Sequence, residues 1–192
     1  MENLLPFEGQ VYYYGKCFES PEELMSRLLL ETPWKPDEVI IMGRKITTKR
    51  QMAWYGEGNY SYSGIKRNPL PWTELLLELK TAAEFHTGET FNSCLINLYS
   101  NGTEGVGWHS DNEKELQNQG AIASITFGAE RKFVFQHKET KEKREIYLEA
   151  GSLLIMKGET QKFWKHALPP MRKIKSPRIN LTFRTVLNGG GS

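Results

Sequence analysis

Three short segments carry the residues able to do chemistry. L-I-N-L-Y holds Asn97 and Tyr99, W-H-S-D-N-E holds His109 and Asp111, and P-R-I-N-L-T-F-R holds Arg178, Asn180, Thr182 and Arg184; His166 stands alone between the last two. Two imidazoles and one carboxylate can grip Fe(II) on one face and leave positions open for oxygen and a chelating co-substrate. His109 and Asp111 lie two apart, and in a strand that spacing points both side chains to one face. A lone His-x-Asp pair is more often part of an ordinary polar loop. His86 and His137 have no carboxylate at ligand spacing and read as ordinary histidines.

The last segment shifts that balance. Strand alternation puts Arg178, Asn180, Thr182 and Arg184 on one face and Ile179, Leu181 and Phe183 on the other. So polar a face cannot sit in a core without partners. At about 3.3 Å per residue the two Arg backbones stand roughly 20 Å apart, and their long side chains can converge on a small dianion between them. Guanidinium groups bind carboxylates through two parallel hydrogen bonds, which Lys cannot match. Asn97 and Tyr99 share a face and offer an amide and a phenol to the same ligand. A metal triad beside a dicarboxylate site describes an oxygenase that uses iron and 2-oxoglutarate. An exposed polar edge strand is the plain alternative, and the apolar Ile-Leu-Phe face argues for a wall between core and cavity.

Those residues need elements to position them. Ser20-Pro21-Glu22-Glu23 predicts a helix start with a Ser cap, followed by Leu24, Met25, Leu28 and Leu29 at helical spacing and a stop at Thr32-Pro33. A second helix is expected over 71–86, with Leu75, Leu76 and Leu79 as its apolar face and Gly88 after its end. Strands are expected over 91–100, 121–127, 132–137, 144–148, 152–156 and 178–186. The basic stretch 136–144 reads as a protruding loop. Helices followed by strands predict a mainly β chain with flanking helices, an α+β arrangement built on an antiparallel sandwich or barrel.

Composition sets the outer bounds. The 192 residues suit a single domain over 1–188, with 189–192 (Gly-Gly-Gly-Ser) as a linker-like tail. No apolar run nears the ~18 residues that span a bilayer, and the first residues lack signal-peptide character. Cys17 and Cys94 are too few for a disulfide framework. The expectation is an intracellular, monomeric protein of nucleus or cytoplasm with no membrane contact. Net charge is +2, yet residues 1–38 carry eight acids against three bases, and residues 131–184 carry fourteen Lys and Arg against five Glu. That asymmetry suits an anionic partner for the C-terminal half, although solvated loops would produce it equally well.

The chain resembles the AlkB family of Fe(II)/2-oxoglutarate-dependent nucleic-acid dealkylases, and most of all its duplex-DNA-repair branch. The matching blocks are R-Q-M-A-W-Y-G (50–56), Y-S-Y-S-G (60–64), 91–99, 109–113, 122–128, 151–156 and 178–184. The resemblance implies a double-stranded β-helix (jelly-roll) core over 91–188, with 1–90 as helical support and nucleotide-recognition region. It implies His109, Asp111 and His166 as iron ligands and Asn97, Tyr99, Arg178, Thr182 and Arg184 around 2-oxoglutarate, with Asn180 beside them. Arg178 is expected on the distal carboxylate and Arg184 nearer the iron.

The implied reaction consumes O2 and 2-oxoglutarate and removes N-methyl groups from bases such as 1-methyladenine and 3-methylcytosine in DNA, and by extension RNA. Formaldehyde, succinate and CO2 are released. The target base must leave its stack, so aromatic pocket walls are expected, and the match puts Tyr60 and Tyr62 there, facing the His109 ring. Taken alone, Y-S-Y-S is a plain amphipathic strand. Relatives often carry an acid directly after the iron-binding Asp, where the base's exocyclic amine lands; here it is Asn112, with Glu113 next. Met42-Gly43-Arg44 matches the segment that wedges into duplex, with Met42 as the wedge; an apolar strand end is nearly as good a reading. Arg131, Lys132, Lys138, Lys141, Lys143 and Arg144 are the phosphate-contact candidates. Two other readings stand beside this one: a 2-oxoglutarate oxygenase acting on protein or small molecules, and a non-catalytic nucleic-acid-binding module.

Overall fold

The computed structural model describes residues 1–41, 44–57, 60–62 and 65–187; the side chains of 39–41, 44–46, 60–62 and 65–67 lie outside that description. Chain order is β1 (Gln10–Lys16), α1 (Pro21–Glu31), β2 (Lys35–Ile41), β3 (Arg44–Gly56), β4 (Tyr60–Tyr62), β5 (Ile65–Arg67), α2 (Glu74–Thr87), β6 (Ser93–Tyr99) and β7 (Val106–His109). There follow β8 (Ile122–Gly128), β9 (Arg131–His137), β10 (Lys143–Leu148), β11 (Ser152–Lys157), α3 (Thr160–Phe163), β12 (Trp164–Leu168) and β13 (Arg178–Arg184).

Two antiparallel sheets dominate: seven strands in the order β1-β11-β8-β13-β6-β3-β2 and four in the order β10-β9-β12-β7. Strand alternation explains both layers of core. One face of the large sheet (Ala53, Cys94, Ile96, Ala123, Ile125, Leu153, Ile179, Leu181 and Phe183) packs with Leu28 of α1 and Leu75, Leu76, Leu79 and Ala83 of α2. From the other face Val11, Ile122, Leu154 and Met156 meet Phe135, Leu148 and Trp164, which joins the two sheets. Each fully buried large apolar side chain stabilises the fold by about 1.5–3 kcal/mol, so these two layers dominate the packing energy. This is the mainly β, helix-flanked arrangement expected, and β13 is central to it, paired with β6 and β8. Gly128, at φ 81 and opposite Arg178, has no room for a side chain: a Cβ would fall 2.5 Å from the Pro177 carbonyl and from Met25 Sδ.

Several expectations need correction. Residues 1–90 are more than helical support, because β1, β2 and β3 join the large sheet. The strand β2 escapes the usual signals because it contains Pro36, which an edge strand tolerates, beside a register shift. Ser20 does not cap α1 with its side chain: it sits at φ 48, ψ 51, and only its carbonyl accepts from Glu23 and Leu24 N–H groups. The second helix starts at Glu74, three residues late, since Thr73 is the cap and accepts from the Leu76 N–H at 3.3 Å. The stretch 136–144 is no free loop but the turn and flanks of the β9–β10 hairpin. No helix among the described residues is long and apolar enough to cross a membrane.

Candidate active site

The face of β13 that turns away from the helices is the polar wall. Arg178, Asn180, Thr182 and Arg184 are all buried there. Asn180 is its hub: Oδ1 accepts from Arg178 Nη2 at 2.6 Å and Ser124 Oγ at 3.0 Å, and Nδ2 donates to Thr182 Oγ1 at 2.9 Å. Register places Tyr99 opposite Arg178 and Asn97 opposite Asn180 on β6. Tyr99 lies under two guanidinium groups, Arg178 with its Cζ 5.5 Å and Arg50 with its Cζ 6.0 Å from the ring centroid. Sequence reading singled out neither Arg50 nor the supporting Ser124 and Thr126.

The metal trio assembles at the same pocket. His166 on β12 pairs in register with His109 at the end of β7, and the ring centroids are 4.3 Å apart. Asp111 lies between them, with Oδ1 3.8 Å from His109 Nε2 and Oδ2 3.7 Å from His166 Nε2. All three donor atoms fall within 4.8 Å of one another, a spacing that one ion can bridge. The expected strand geometry holds only in part: β7 ends at His109, and Asp111 sits in the following loop. A loop backbone, not alternation, aims the carboxylate.

Protonation suits metal binding. His109 Nδ1 lies 2.8 Å from the Gly107 carbonyl, which can only accept, so Nδ1 donates there and Nε2 is the ring nitrogen left to face a metal. Burial pushes His166 down to about 4, which leaves its imidazole neutral. For Asp111, burial pushes the carboxyl up, but Arg184 first and then the two imidazoles hold it below its ordinary value, so it stays ionised. Arg184 Nη2 reaches Asp111 Oδ1 at 3.1 Å.

Arg178 supplies the test for a co-substrate. It is 2% exposed, burial pulls its guanidinium down to about 10, and no carboxylate pairs with it among the described residues. Its Nε, a donor, is buried without a hydrogen-bond partner. Buried orphans of this kind mark places where a ligand completes the bonding. A buried cation beside a phenol, an amide donor and a metal trio fits a dicarboxylate that also chelates iron. Leu95, Val106, Phe133, Met156 and Leu168 complete the lining and exclude water.

The nucleic-acid candidates divide. Asn112 is exposed and Glu113 half-buried beside Asp111, and both line a cavity of ≈ 490 Å³. Burial pushes the Glu113 carboxyl up. Met42 and Gly43 lie outside the described residues, as do the side chains of Arg44, Tyr60 and Tyr62. Arg131 is no phosphate ligand: it is 0% exposed and donates to the Glu104 and Pro169 carbonyls at 2.7 and 3.0 Å. Charge counting cannot see that burial. Lys138 donates at 2.8 Å to the carbonyls of Gln161 and Lys162, and Lys132 pairs with Glu145 at 3.0 Å. Arg144 pairs with Glu142, and Lys141 bonds the Lys138 carbonyl. Lys143 stays exposed on the hairpin. His137 is structural, buried against Phe7, Phe163 and Trp164 and bonded to Glu8 at 2.8 Å.

Comparison with known proteins agrees with this geometry. Residues 11–184 match the model of the 2OG-Fe(II) oxygenase superfamily. The human alpha-ketoglutarate-dependent dioxygenase alkB homolog 3 is 42% identical over 173 residues, covering 85% of this chain and 60% of that protein. The mouse DNA oxidative demethylase ALKBH2 is 38% identical over 160 residues, covering 78% of this chain and 67% of that protein. The chain thus spans about 60% of the length of the first of these relatives. The solved structure of OsALKBH1 superposes with a TM-score of 0.64 at 15% identity, over 94% of this chain and 98% of that one, so the jelly-roll fold is shared. On residues, fold and relatives together, the chain belongs to the 2OG-Fe(II) oxygenase superfamily and, within it, to the AlkB family.

Proposed function

We propose that this chain is an Fe(II)- and 2-oxoglutarate-dependent dioxygenase that removes N-methyl groups from nucleic-acid bases, working as a monomer in nucleus or cytoplasm. The observation that carries the reading is the candidate metal trio opening onto a wall whose buried Arg178 has no acid partner among the described residues. The names of the similar proteins, an alkB homolog and a DNA oxidative demethylase, support the substrate class. Fe(II), O2 and 2-oxoglutarate supply the oxidation when bound, yielding succinate, CO2 and a base whose methyl group leaves as formaldehyde.

The protein's own share is placement. His109 and His166 would offer their Nε2 atoms, with burial keeping the His166 ring neutral, and Asp111 would offer an ionised carboxylate. Arg178 would hold the distal carboxylate of 2-oxoglutarate, with Tyr99, Asn97 and Thr182 lining the same pocket. Arg184 holds Asp111 at 3.1 Å and so fixes the ligand against rotation. Tyr60 and Tyr62 serve as walls for the flipped base, where stacking contributes about 1–3 kcal/mol per base.

Asn112 and Glu113 choose the base. An amide at 112 can accept a hydrogen bond from an exocyclic amine but adds no charge attraction for a cationic base. Asn112→Asp is expected to change turnover on 1-methyladenine and 3-methylcytosine severalfold, and unchanged kinetics on every base would remove Asn112 from the pocket. Met42 is the duplex wedge, so Met42→Ala is expected to lower activity on duplex more than on single strands; equal losses would rule that out. The decisive survey is a demethylation panel of single- and double-stranded DNA and RNA carrying defined methylated bases. Loss of methyl from at least one of these is expected. Turnover of 2-oxoglutarate with every oligonucleotide left intact would point to a protein or small-molecule substrate instead.

A further inference from the structure

The loop position of Asp111 raises the question of what aims its carboxylate. Asp111 lies two residues beyond the end of β7, where no sheet ladder holds its backbone. Two hydrogen bonds do so instead. The Asp111 N–H donates to Gln161 Oε1 at 2.9 Å. One residue earlier, Ser110 Oγ donates to the Trp164 carbonyl at 2.8 Å. Gln161 belongs to α3 and Trp164 opens β12, the segment that carries His166. Both struts therefore tie the loop bearing one metal ligand to the segment bearing another, 50 or more positions away in sequence.

Gln161 is itself held at both ends. Its Nε2 lies 3.6 Å from Met156 Sδ, a weak acceptor, which leaves Oε1 for the Asp111 N–H; that N–H can only donate, so the amide orientation is fixed by its partners. Its own carbonyl accepts from Lys138 Nζ at 2.8 Å. Lys138, a phosphate candidate by sequence, thus braces the strut. The Trp164 side of the second strut is equally rigid: the ring is 0% exposed and its Nε1 donates to the Phe7 carbonyl at 3.0 Å.

We propose that Gln161 is a positioning residue of the metal centre, with Ser110 as a second strut. By fixing the main chain of Asp111 relative to His166, it keeps the three donor atoms at binding distance before any ion arrives. Contacts of this sort around a ligand are worth about 10–100-fold in metal affinity. The inference rests on reading His109, Asp111 and His166 as metal ligands, and metal binding measured without oligonucleotide keeps the two apart.

The test uses the metal-stripped full chain, titrated with Co(II) under argon in the presence of 2-oxoglutarate and read by the visible absorbance of bound cobalt. Wild type is expected to bind. Gln161→Leu keeps the bulk, removes the acceptor, and is expected to weaken Co(II) binding about tenfold. Gln161→Glu retains an oxygen for the same N–H and is expected to restore most of that loss. A merely structural role would lower the melting temperature of both variants and leave their affinities alike. Equal affinity of wild type and Gln161→Leu overturns the proposal, as does a Gln161→Glu variant that binds as weakly as Gln161→Leu. Should Gln161→Leu not fold, Ser110→Ala decides, with about threefold weaker binding expected for one lost hydrogen bond and an unchanged affinity contradicting the proposal. Failure of wild type itself to bind Co(II) would instead overturn the reading of the trio.

Discussion

Replacing Arg178 by glutamine is expected to raise the 2-oxoglutarate KM about 100-fold, since losing one partner of a buried charge pair costs about 2–5 kcal/mol and each 1.4 kcal/mol is a factor of ten. The ligand-free protein should respond in the opposite sense. Arg178 is buried with no acid beside it among the described residues, and burial has already pulled its guanidinium down to about 10. A neutral amide relieves that uncompensated charge at the expense of the bonds to Thr126 and Asn180. The melting temperature of the ligand-free variant is expected to hold or rise, as is common where a site is built for function at the expense of stability. Initial rates against 2-oxoglutarate and one melting curve check both halves. A purely structural Arg178 would give an unchanged KM and a lower melting temperature.

Asp111 should behave differently, because it is a proposed metal ligand and also pairs with Arg184. Asp111→Ala is expected to abolish turnover and to lower the stability of the metal-free protein, since it removes the carboxylate that Arg184 contacts at 3.1 Å. Asp111→Asn is expected to lose turnover equally but less stability, because an amide oxygen can still accept from Arg184. Denaturant unfolding of the two metal-free variants, set beside their activity, makes the comparison. Equal stability of the two would show that the Arg184–Asp111 contact contributes little.

The wall was legible in the sequence because strand period and residue type agree along β13: four polar side chains alternate with Ile179, Leu181 and Phe183, and no other element accommodates that pattern. The metal trio was legible as a set of residue types, two histidines and one carboxylate, and the family resemblance then assigned His109, Asp111 and His166 as the ligands. The way Asp111 is held was not legible. Its geometry comes from Gln161 and Trp164, which lie far along the chain and belong to no local pattern. Arg131 failed for a related reason: its charge suggested phosphate, whereas backbone carbonyls from two distant loops enclose it. Charge is a property of the residue and burial a property of the fold. Strands β1, β2, β3, β5, β7 and β12 were not expected; β2 contains a proline at a sheet edge, and β12 is five residues long and follows α3 directly.

Product stoichiometry tests the proposed demethylation itself. The purified chain, supplied with Fe(II), O2, 2-oxoglutarate and an oligonucleotide carrying one 3-methylcytosine, is assayed for succinate, formaldehyde and repaired base together. The three are expected in equal amounts, with none formed when Fe(II) is withheld. Succinate accumulating with neither formaldehyde nor repaired base, on this and every other methylated base tried, would contradict the proposed demethylation.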